Sequence, residues 1–243
     1  MPQKTKYLLP QLSVFFPCHN EEKNIANTVN KAIPTIKKIT PKWEVLIIND
    51  GSTDKTLEEA KKLQKKHGQR IKIINHKKNR GYGASFKSGL YKSQYGWIAF
   101  TDADGQFKFS EVVDLIKKQQ KTKADLVIGY YKGRKVPFYR IWGSKVWELL
   151  VFVMFGLRVT DIDCGFKLIR KKIPDTIPKL EAERGPFINS EFLIKAKKSG
   201  FKIVEIGVSH FARQYGTASG AQLKVVFAGF KDLISLWKKI NFA

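Results

Sequence analysis

An α/β architecture with a mostly parallel central sheet and helices on both faces follows from three features of this sequence. Strand-like apolar runs alternate with helical patterns at a spacing of roughly 25 residues through the first half of the chain. The second run, Trp43-Glu44-Val45-Leu46-Ile47-Ile48, stays apolar beyond its opening residues, as a strand covered on both faces does. Pairs of aspartates fall just after such runs, where open α/β sheets bind ligands.

Taken in order, Leu12-Ser13-Val14-Phe15-Phe16 makes a short first strand that Pro17 ends. A helical pattern runs from about residue 22 to 39, and Pro41 closes it. After the second strand come a helix near 54–67, a strand at 71–75, a helix near 84–93 and a strand at 97–101. A helix at 110–120 and a strand at 125–129 complete the series. Then the rhythm breaks. Residues 130–145 are basic, aromatic and free of carboxylates, and 142–155 read as an apolar helix. A short strand at 165–169, a helix at 189–198 and a strand at 202–208 follow. The tail, 222–240, is a helix with apolar Val225, Val226, Phe230, Leu233, Ile234 and Trp237. No repeat, low-complexity tract or flexible linker divides the chain, so residues 1–243 are expected to form one domain.

Composition narrows the function class. Forty-five Lys+Arg against 21 Asp+Glu give a net charge of +24, which excludes an acidic solvated scaffold and favours polyanionic partners. An aromatic content of 12% argues against disorder. Two cysteines, Cys18 and Cys164, build no disulfide framework and suit a reducing cytosolic setting, as small buried side chains rather than nucleophiles. Lys4 and Lys6 before Tyr7-Leu8-Leu9 imitate a signal peptide, but Pro10 and Gln11 interrupt it and no small-residue cleavage site follows. The longest apolar run spans residues 149–157, far short of the ~20 residues of a bilayer span. The chain can still lie on a membrane.

The ten aspartates are placed unevenly. Asp50 and Asp54 follow the second strand, Asp102 and Asp104 the fourth, and Asp161 and Asp163 precede Gly165. Clustered carboxylates repel unless a cation or proton lies between them. An Asp-x-Asp turn capped by Gly105 can aim oxygens at one hard divalent ion, with Gln106 as a neutral donor and substrate phosphates completing the shell. Plainer readings stand beside this one. Asp54 caps a helix, His19 is a loop or packing residue, and the basic stretch 61–80 is a solvated helix face. Asn79-Arg80-Gly81-Tyr82-Gly83-Ala84-Ser85 fails as a dinucleotide fingerprint, since Phe86 stands at the sixth position, and fails as a Walker loop. It remains a loop into a helix N-terminus, compatible with phosphate or sugar contact. Residues 131–155 read either as a core helix or as an interfacial helix, because Trp and Phe beside Lys and Arg suit an anionic bilayer.

Four segments, Pro17-Cys18-His19-Asn20-Glu21-Glu22, Asn49-Asp50-Gly51-Ser52-Thr53-Asp54, Asn79-Arg80-Gly81-Tyr82-Gly83-Ala84 and Asp102-Ala103-Asp104-Gly105-Gln106, occur in the order seen in family 2 glycosyltransferases of the GT-A fold, which the chain resembles over roughly residues 11–220. Within that family it is similar to the polyprenol-phosphate sugar transferases of the dolichol-phosphate mannosyltransferase type. Asp161-Ile162-Asp163-Cys164-Gly165-Phe166-Lys167-Leu168, Asn189-Ser190-Glu191 and Arg213-Gln214-Tyr215-Gly216 extend the likeness.

The resemblance implies a Rossmann-like GT-A fold with amphipathic interfacial helices. It places a nucleotide-sugar half at 11–129, an acceptor half with an interfacial helix at 130–220 and an amphipathic C-terminal helix at 221–243. Pro17, Asn20, Glu21, Asp50 and Asp102 would line the nucleotide pocket. Asp102, Asp104 and Gln106 would hold Mg²⁺ or Mn²⁺. Asp104, Asp161 and Asp163 would serve catalysis, the last two beside the donor sugar and acceptor phosphate. Glu191 and Arg213 would lie toward the acceptor or its phosphate. Relatives often carry an arginine just after the fifth strand, where this chain reads Gly129-Tyr130-Tyr131, so Arg134 and Arg140 are expected to take its place. Many relatives continue into transmembrane helices, whereas the sequence here ends at Ala243.

The implied reaction moves mannose or glucose from a GDP or UDP donor to a dolichyl or undecaprenyl phosphate, with inversion at the anomeric carbon. The expected location is the cytoplasmic face of a membrane, with peripheral attachment to its anionic surface, and a membrane-embedded partner subunit is compatible with it. The alternative is a family 2 enzyme acting on a saccharide or other hydroxyl acceptor, with Asp161 or Asp163 as general base. A basic nucleic-acid-binding protein is a remote alternative. The charge permits it, but no nucleic-acid motif occurs, so no nucleic-acid partner is expected.

Overall fold

The computed structural model describes residues 7–132, 138–215 and 223–242, with the side chains of 138–140 and 223–227 left outside that description. One seven-stranded sheet organises both halves. Its strands are β1 (Leu12–Cys18), β2 (Trp43–Asp50), β3 (Ile71–His76), β4 (Trp97–Thr101), β5 (Leu126–Lys132), β6 (Phe166–Arg170) and β7 (Ile203–Ser209), in the spatial order β3-β2-β1-β4-β6-β5-β7. Only β6 runs antiparallel, against β4 on one side and β5 on the other. Every other pairing is parallel, and connecting such strands requires the crossover helices the sequence supplies.

The helices are α1 (Ile25–Ile39), α2 (Thr56–His67), α3 (Tyr82–Lys92), α4 (Val112–Thr122), α5 (Phe138–Phe155), α6 (Lys172–Thr176), α7 (Phe187–Lys198) and α8 (Leu223–Phe242). The short α6 was not anticipated. The first strand continues through Pro17, opposite Ile48, to Cys18. Proline is accommodated there because it lies beyond Phe15, the last β1 residue paired to β4, so only one side of the ladder continues.

Alternation along each strand sends side chains to two separate cores. Val14, Phe16, Val45 and Ile47 pack with Ile36 and Leu115 on the α1, α2 and α4 face. Phe15, Leu46, Ile48 and Phe100 pack with Phe86 and Phe192 on the α3 and α7 face. Phe15 stacks on Phe100 at 4.9 Å, and Phe86 meets Phe100 edge-on at 5.0 Å. The second face also carries α5 and α8, joined through Trp147 and Phe230 at 5.4 Å. On α5, Trp142, Val146, Leu149 and Val153 share one stripe by helical spacing and face solvent. Among the described residues, no helix is long and apolar enough to cross a membrane.

Candidate active site

The loops after β1, β2 and β4 meet at the carboxyl end of the parallel strands and are locked together by their own polar side chains. Asn20 takes a left-handed conformation (φ 56°) between β1 and α1. Its N–H donates to Ser52 Oγ at 3.0 Å, and its Oδ1 accepts the Thr53 N–H at 2.9 Å. The Glu21 N–H donates to Thr56 Oγ1 at 2.8 Å. Asp54 caps α2 by accepting the Thr56 N–H at 2.9 Å and also accepts the Glu22 N–H at 3.1 Å. Burial opposes its charge, but these hydrogen bonds outweigh it and hold the carboxyl below its ordinary value.

Asp50 sits at the end of β2, and its oxygens are fully engaged. The N–H groups of Arg80 and Gly81 donate to it at 3.0 and 2.7 Å, and His76 Nδ1 lies 2.6 Å from Oδ1. Asp50 therefore fastens the glycine-rich loop to the sheet. His19 joins the same knot, with Nδ1 2.8 Å from the Asp50 carbonyl and Nε2 3.1 Å from Asn79. Pro17 is half-buried two residues before it, near the end of β1.

Asp102 and Asp104 follow β4. The Asp104 carboxylate accepts the Gln106 N–H at 3.0 Å and Arg213 Nη2 at 3.3 Å. The same Arg213 nitrogen lies 2.7 Å from Glu21 Oε1, so one guanidinium ties the loop after β1 to the acidic pair. Gln106 pins this segment in place, its side-chain amide donating to the Phe211 carbonyl at 2.9 Å. Burial pushes the Asp102 carboxyl up to about 8, and the adjacent Asp104 adds to the effect, while Lys167, Arg213 and a hydrogen bond from Tyr82 oppose it. Glu21 is also raised, chiefly by burial, against the pull of Asn24 and Arg213.

The third acidic pair arrives from the turn before β6. Asp161 is buried and accepts the Asp163 N–H at 3.1 Å. Gly165 is packed flat against Asp102: a Cβ there would lie 2.1 Å from Asp102 Oδ2. Beneath the cluster lies Lys167, whose side chain is wholly buried. Its ammonium donates to the Cys164 carbonyl and, at 3.1 Å, to Asn189 Oδ1. Burial lowers its pKa, and Asp163, Asp102 and Asp161 are among the groups that pull it back. Sequence reasoning missed Lys167, Tyr82 and His76. A lysine between Phe166 and Leu168 in a short strand was the available signal.

Not every expected residue joins the cluster. Glu191 is buried in α7, where both oxygens accept the Glu181 N–H, at 2.8 and 3.1 Å. Oε2 also accepts the Ala182 N–H, and Oε1 pairs with Lys195 at 2.7 Å. This carboxylate holds the 181–184 segment, which in turn receives the Ala84 N–H through the Glu183 carbonyl at 2.9 Å. Arg134 and the side chain of Arg140 lie outside the described residues. Burial pushes the Cys18 and Cys164 thiols up, the latter to about 12, so neither is an activated nucleophile.

Among the described residues, no three His, Cys, Asp or Glu side chains close around a metal position. Two adjacent carboxylates with a neighbouring amide suit a hard cation that keeps coordination positions for phosphate oxygens. Arg213 already shows that a positive charge is accommodated there. Two clefts of roughly 400 and 440 Å³ lie elsewhere, one against Lys117, Lys118, Lys121 and Lys132 and the other between the 181–184 segment and α8, and neither includes Asp102 or Asp104.

The model of Glycosyl transferase family 2 matches residues 13–177. Dodecaprenyl-phosphate galacturonate synthase of Rhizobium johnstonii is 27% identical over 227 residues, covering 93% of this chain and 66% of that protein. Dolichyl-phosphate beta-glucosyltransferase of Saccharomyces cerevisiae is 32% identical over 225 residues, covering 82% and 66%. The chain thus spans just under two thirds of the length of these relatives. Among solved structures, glucosyl-3-phosphoglycerate synthase from Mycobacterium tuberculosis, in complex with Mn²⁺, uridine diphosphate and glucosyl-3-phosphoglycerate, shares the fold. Its TM-score is 0.69 at 17% identity, covering 95% of this chain and 79% of that one.

Proposed function

The chain belongs to glycosyltransferase family 2, and from that premise we propose that it transfers a hexose, mannose or glucose, from a GDP or UDP donor to the phosphate of a polyprenyl phosphate at an anionic membrane surface. The observation that carries this reading is the meeting of Asp102, Asp104, Gly165 and Arg213 at the carboxyl end of the sheet. Two of the relatives above bear names that specify dolichyl- or dodecaprenyl-phosphate sugar transfer.

In this reading Asp102, Asp104 and Gln106 hold Mg²⁺ or Mn²⁺. When bound, the ion supplies Lewis-acid stabilisation of the charge that develops on the departing diphosphate. Asn20 and Glu21 shape the nucleotide side, while Asp50 keeps the glycine-rich loop against it. Arg213 exchanges its carboxylate partners for phosphate oxygens. A phosphate acceptor is anionic at neutral pH and attacks without losing a proton, so no general base is required. Asp161 and Asp163 then orient the sugar hydroxyls, and the acceptor oxygen displaces the diphosphate with inversion. Lipid reaches the site along α5, whose apolar stripe rests in the interface of the cytoplasmic leaflet.

The test offers the protein two acceptors, a short polyprenyl phosphate and the corresponding polyprenol, with Mn²⁺ and labelled UDP-glucose, GDP-mannose or UDP-galacturonate. Label entering the chloroform phase only with the phosphate is the expected result. Transfer to polyprenol would replace this reading with a hydroxyl-acceptor enzyme in which Asp161 or Asp163 is the base.

A further inference from the structure

The turn that carries Asp161 and Asp163 is held at both shoulders by lysines that donate to its backbone. On one side Lys145 of α5 donates to the Thr160 carbonyl at 3.1 Å. On the other Lys167 of β6 donates to the Cys164 carbonyl and, at 3.1 Å, to Asn189 Oδ1. Glu205 of β7 takes the remaining polar groups of Thr160. Its Oε1 accepts the N–H at 2.6 Å and its Oε2 accepts the hydroxyl at 3.1 Å. Thr160 is exposed, yet its N–H, C=O and hydroxyl are all engaged by side chains from two other elements.

No helix or strand ladder fixes this stretch, because residues 156–165 lie between α5 and β6 and belong to neither. α5 stops at Gly156, which takes a left-handed conformation (φ 67°) as its N–H bonds to the Phe152 carbonyl at 2.7 Å. Leu157 and Ile162 are buried in the same core as Val151 and Phe155, which sets the depth of the turn. Apolar contact sets no direction, whereas hydrogen bonds do. Trp147 Nε1 donates to Ser190 Oγ at 2.9 Å and so fastens α5 to α7. The helix with the exposed stripe of Trp142, Leu149 and Val153 therefore also reaches the backbone beside Asp161.

We propose that Lys145 and Glu205 are positioning residues for sugar transfer: acting through Thr160, they fix the Asp161–Asp163 turn, and Lys145 holds it in register with α5, along which the lipid arrives. The proposal rests on the reading of Asp161 and Asp163 as the groups that orient the donor sugar. Misplacing such groups by about 1 Å costs roughly 100-fold in rate. Lys145 is one of two tethers on Thr160, so removing it alone costs less than that.

The test pairs amide hydrogen exchange across residues 157–165 with steady-state transfer. Labelled UDP-glucose, GDP-mannose or UDP-galacturonate is offered with Mn²⁺ and either a short polyprenyl phosphate or the polyprenol. Both acceptors are dispersed in neutral detergent, so attachment to an anionic surface does not enter. Lys145→Met keeps the apolar stem and removes the donor, and Lys145 is exposed enough for the fold to survive. Exchange is expected to rise roughly tenfold, the loss of one hydrogen bond to a charged group. The kcat should fall roughly tenfold with the donor KM within about twofold of wild type. Lys145→Arg restores a donor and should bring both readouts back to within about threefold. Glu205→Ala, which frees the Thr160 N–H and hydroxyl, should act in the same direction as Lys145→Met. Lys202→Met is the control, since it removes another lysine-to-carbonyl bond, to Thr122 at 2.7 Å, at the amino end of β7. Unchanged exchange or unchanged kcat in Lys145→Met overturns the proposal while leaving the transferase reading intact, as does an equal loss in Lys202→Met. Transfer to polyprenol with the expected loss in Lys145→Met supports the positioning role and overturns the lipid-phosphate reading alone. Absence of transfer by wild type to either acceptor overturns both.

Discussion

Replacing Gly165 by alanine adds one carbon where the site has no room for it. The new Cβ would lie 2.1 Å from Asp102 Oδ2, 2.8 Å from Cγ and 3.3 Å from Oδ1. Ordinary contact begins near 3.4 Å, so the carboxylate must retreat by about 1 Å from the position it holds. Displacement of that size costs a positioned group roughly 100-fold, or ~2.7 kcal/mol of barrier. Gly165 is not among the glycines with positive φ, so the backbone itself accepts alanine, and the cost to the folded state is that of crowding the carboxylate, about 1–3 kcal/mol. The assay is kcat/KM for sugar transfer to polyprenyl phosphate, measured beside the urea midpoint of the same preparation. A rate within about threefold of wild type in a protein of wild-type stability would refute the reasoning, because Asp102 would then tolerate displacement.

Three other outcomes follow from the same geometry. Glu191→Ala leaves the Lys195 ammonium and the Glu181 and Ala182 N–H groups buried without their acceptor, so urea denaturation should show a loss of about 3 kcal/mol or more. Unchanged stability with lost turnover would instead favour the acceptor role expected from sequence. Asp54→Asn removes a carboxylate whose folded pKa lies below its ordinary 3.8, so its contribution is fully present above that value and fades as pH falls through the folded pKa. The stability gap between wild type and variant should therefore be widest near neutrality and close in acid, and a gap independent of pH contradicts this. Trp142→Ser with Leu149→Gln and Val153→Gln strips the exposed stripe of α5. Binding to vesicles containing anionic lipid should fall roughly 100-fold or more, given ~1.5–3 kcal/mol per large apolar side chain fully buried. Undiminished binding would place the membrane surface elsewhere.

Much of the scaffold was legible because burial and period agree in its strands. Trp43–Asp50 is buried at every residue, and the run of apolar side chains announces it. Trp97–Thr101 fell within the expected bounds. The antiparallel direction of β6 was not legible, since Phe166 and Leu168 face one core whichever way the strand runs, and pairing direction is set by the connection. The acidic clusters announced a site, but spacing alone does not say which carboxylates backbone N–H groups will consume. Asp50 and Glu191 are taken up by backbone N–H groups, those of Arg80 and Gly81 for the one and of Glu181 and Ala182 for the other, whereas the Asp102 carboxylate lies flat against Gly165. Lys167 escaped notice for the converse reason. A lysine in a short strand resembles an edge residue, and only the fold shows Asn189 and the Cys164 carbonyl waiting for it.

The most direct test of the central claim is a partition assay with a donor carrying tritium in the sugar and a second radiolabel in the β-phosphate, offered with Mn²⁺ and polyprenyl phosphate to wild type and to Asp102→Asn. Wild type is expected to carry tritium, and no β-phosphate label, into the chloroform phase, and Asp102→Asn to carry neither while remaining folded. Both labels moving together would mean that sugar phosphate is transferred, and undiminished tritium transfer by Asp102→Asn would mean that the chemistry does not depend on this site.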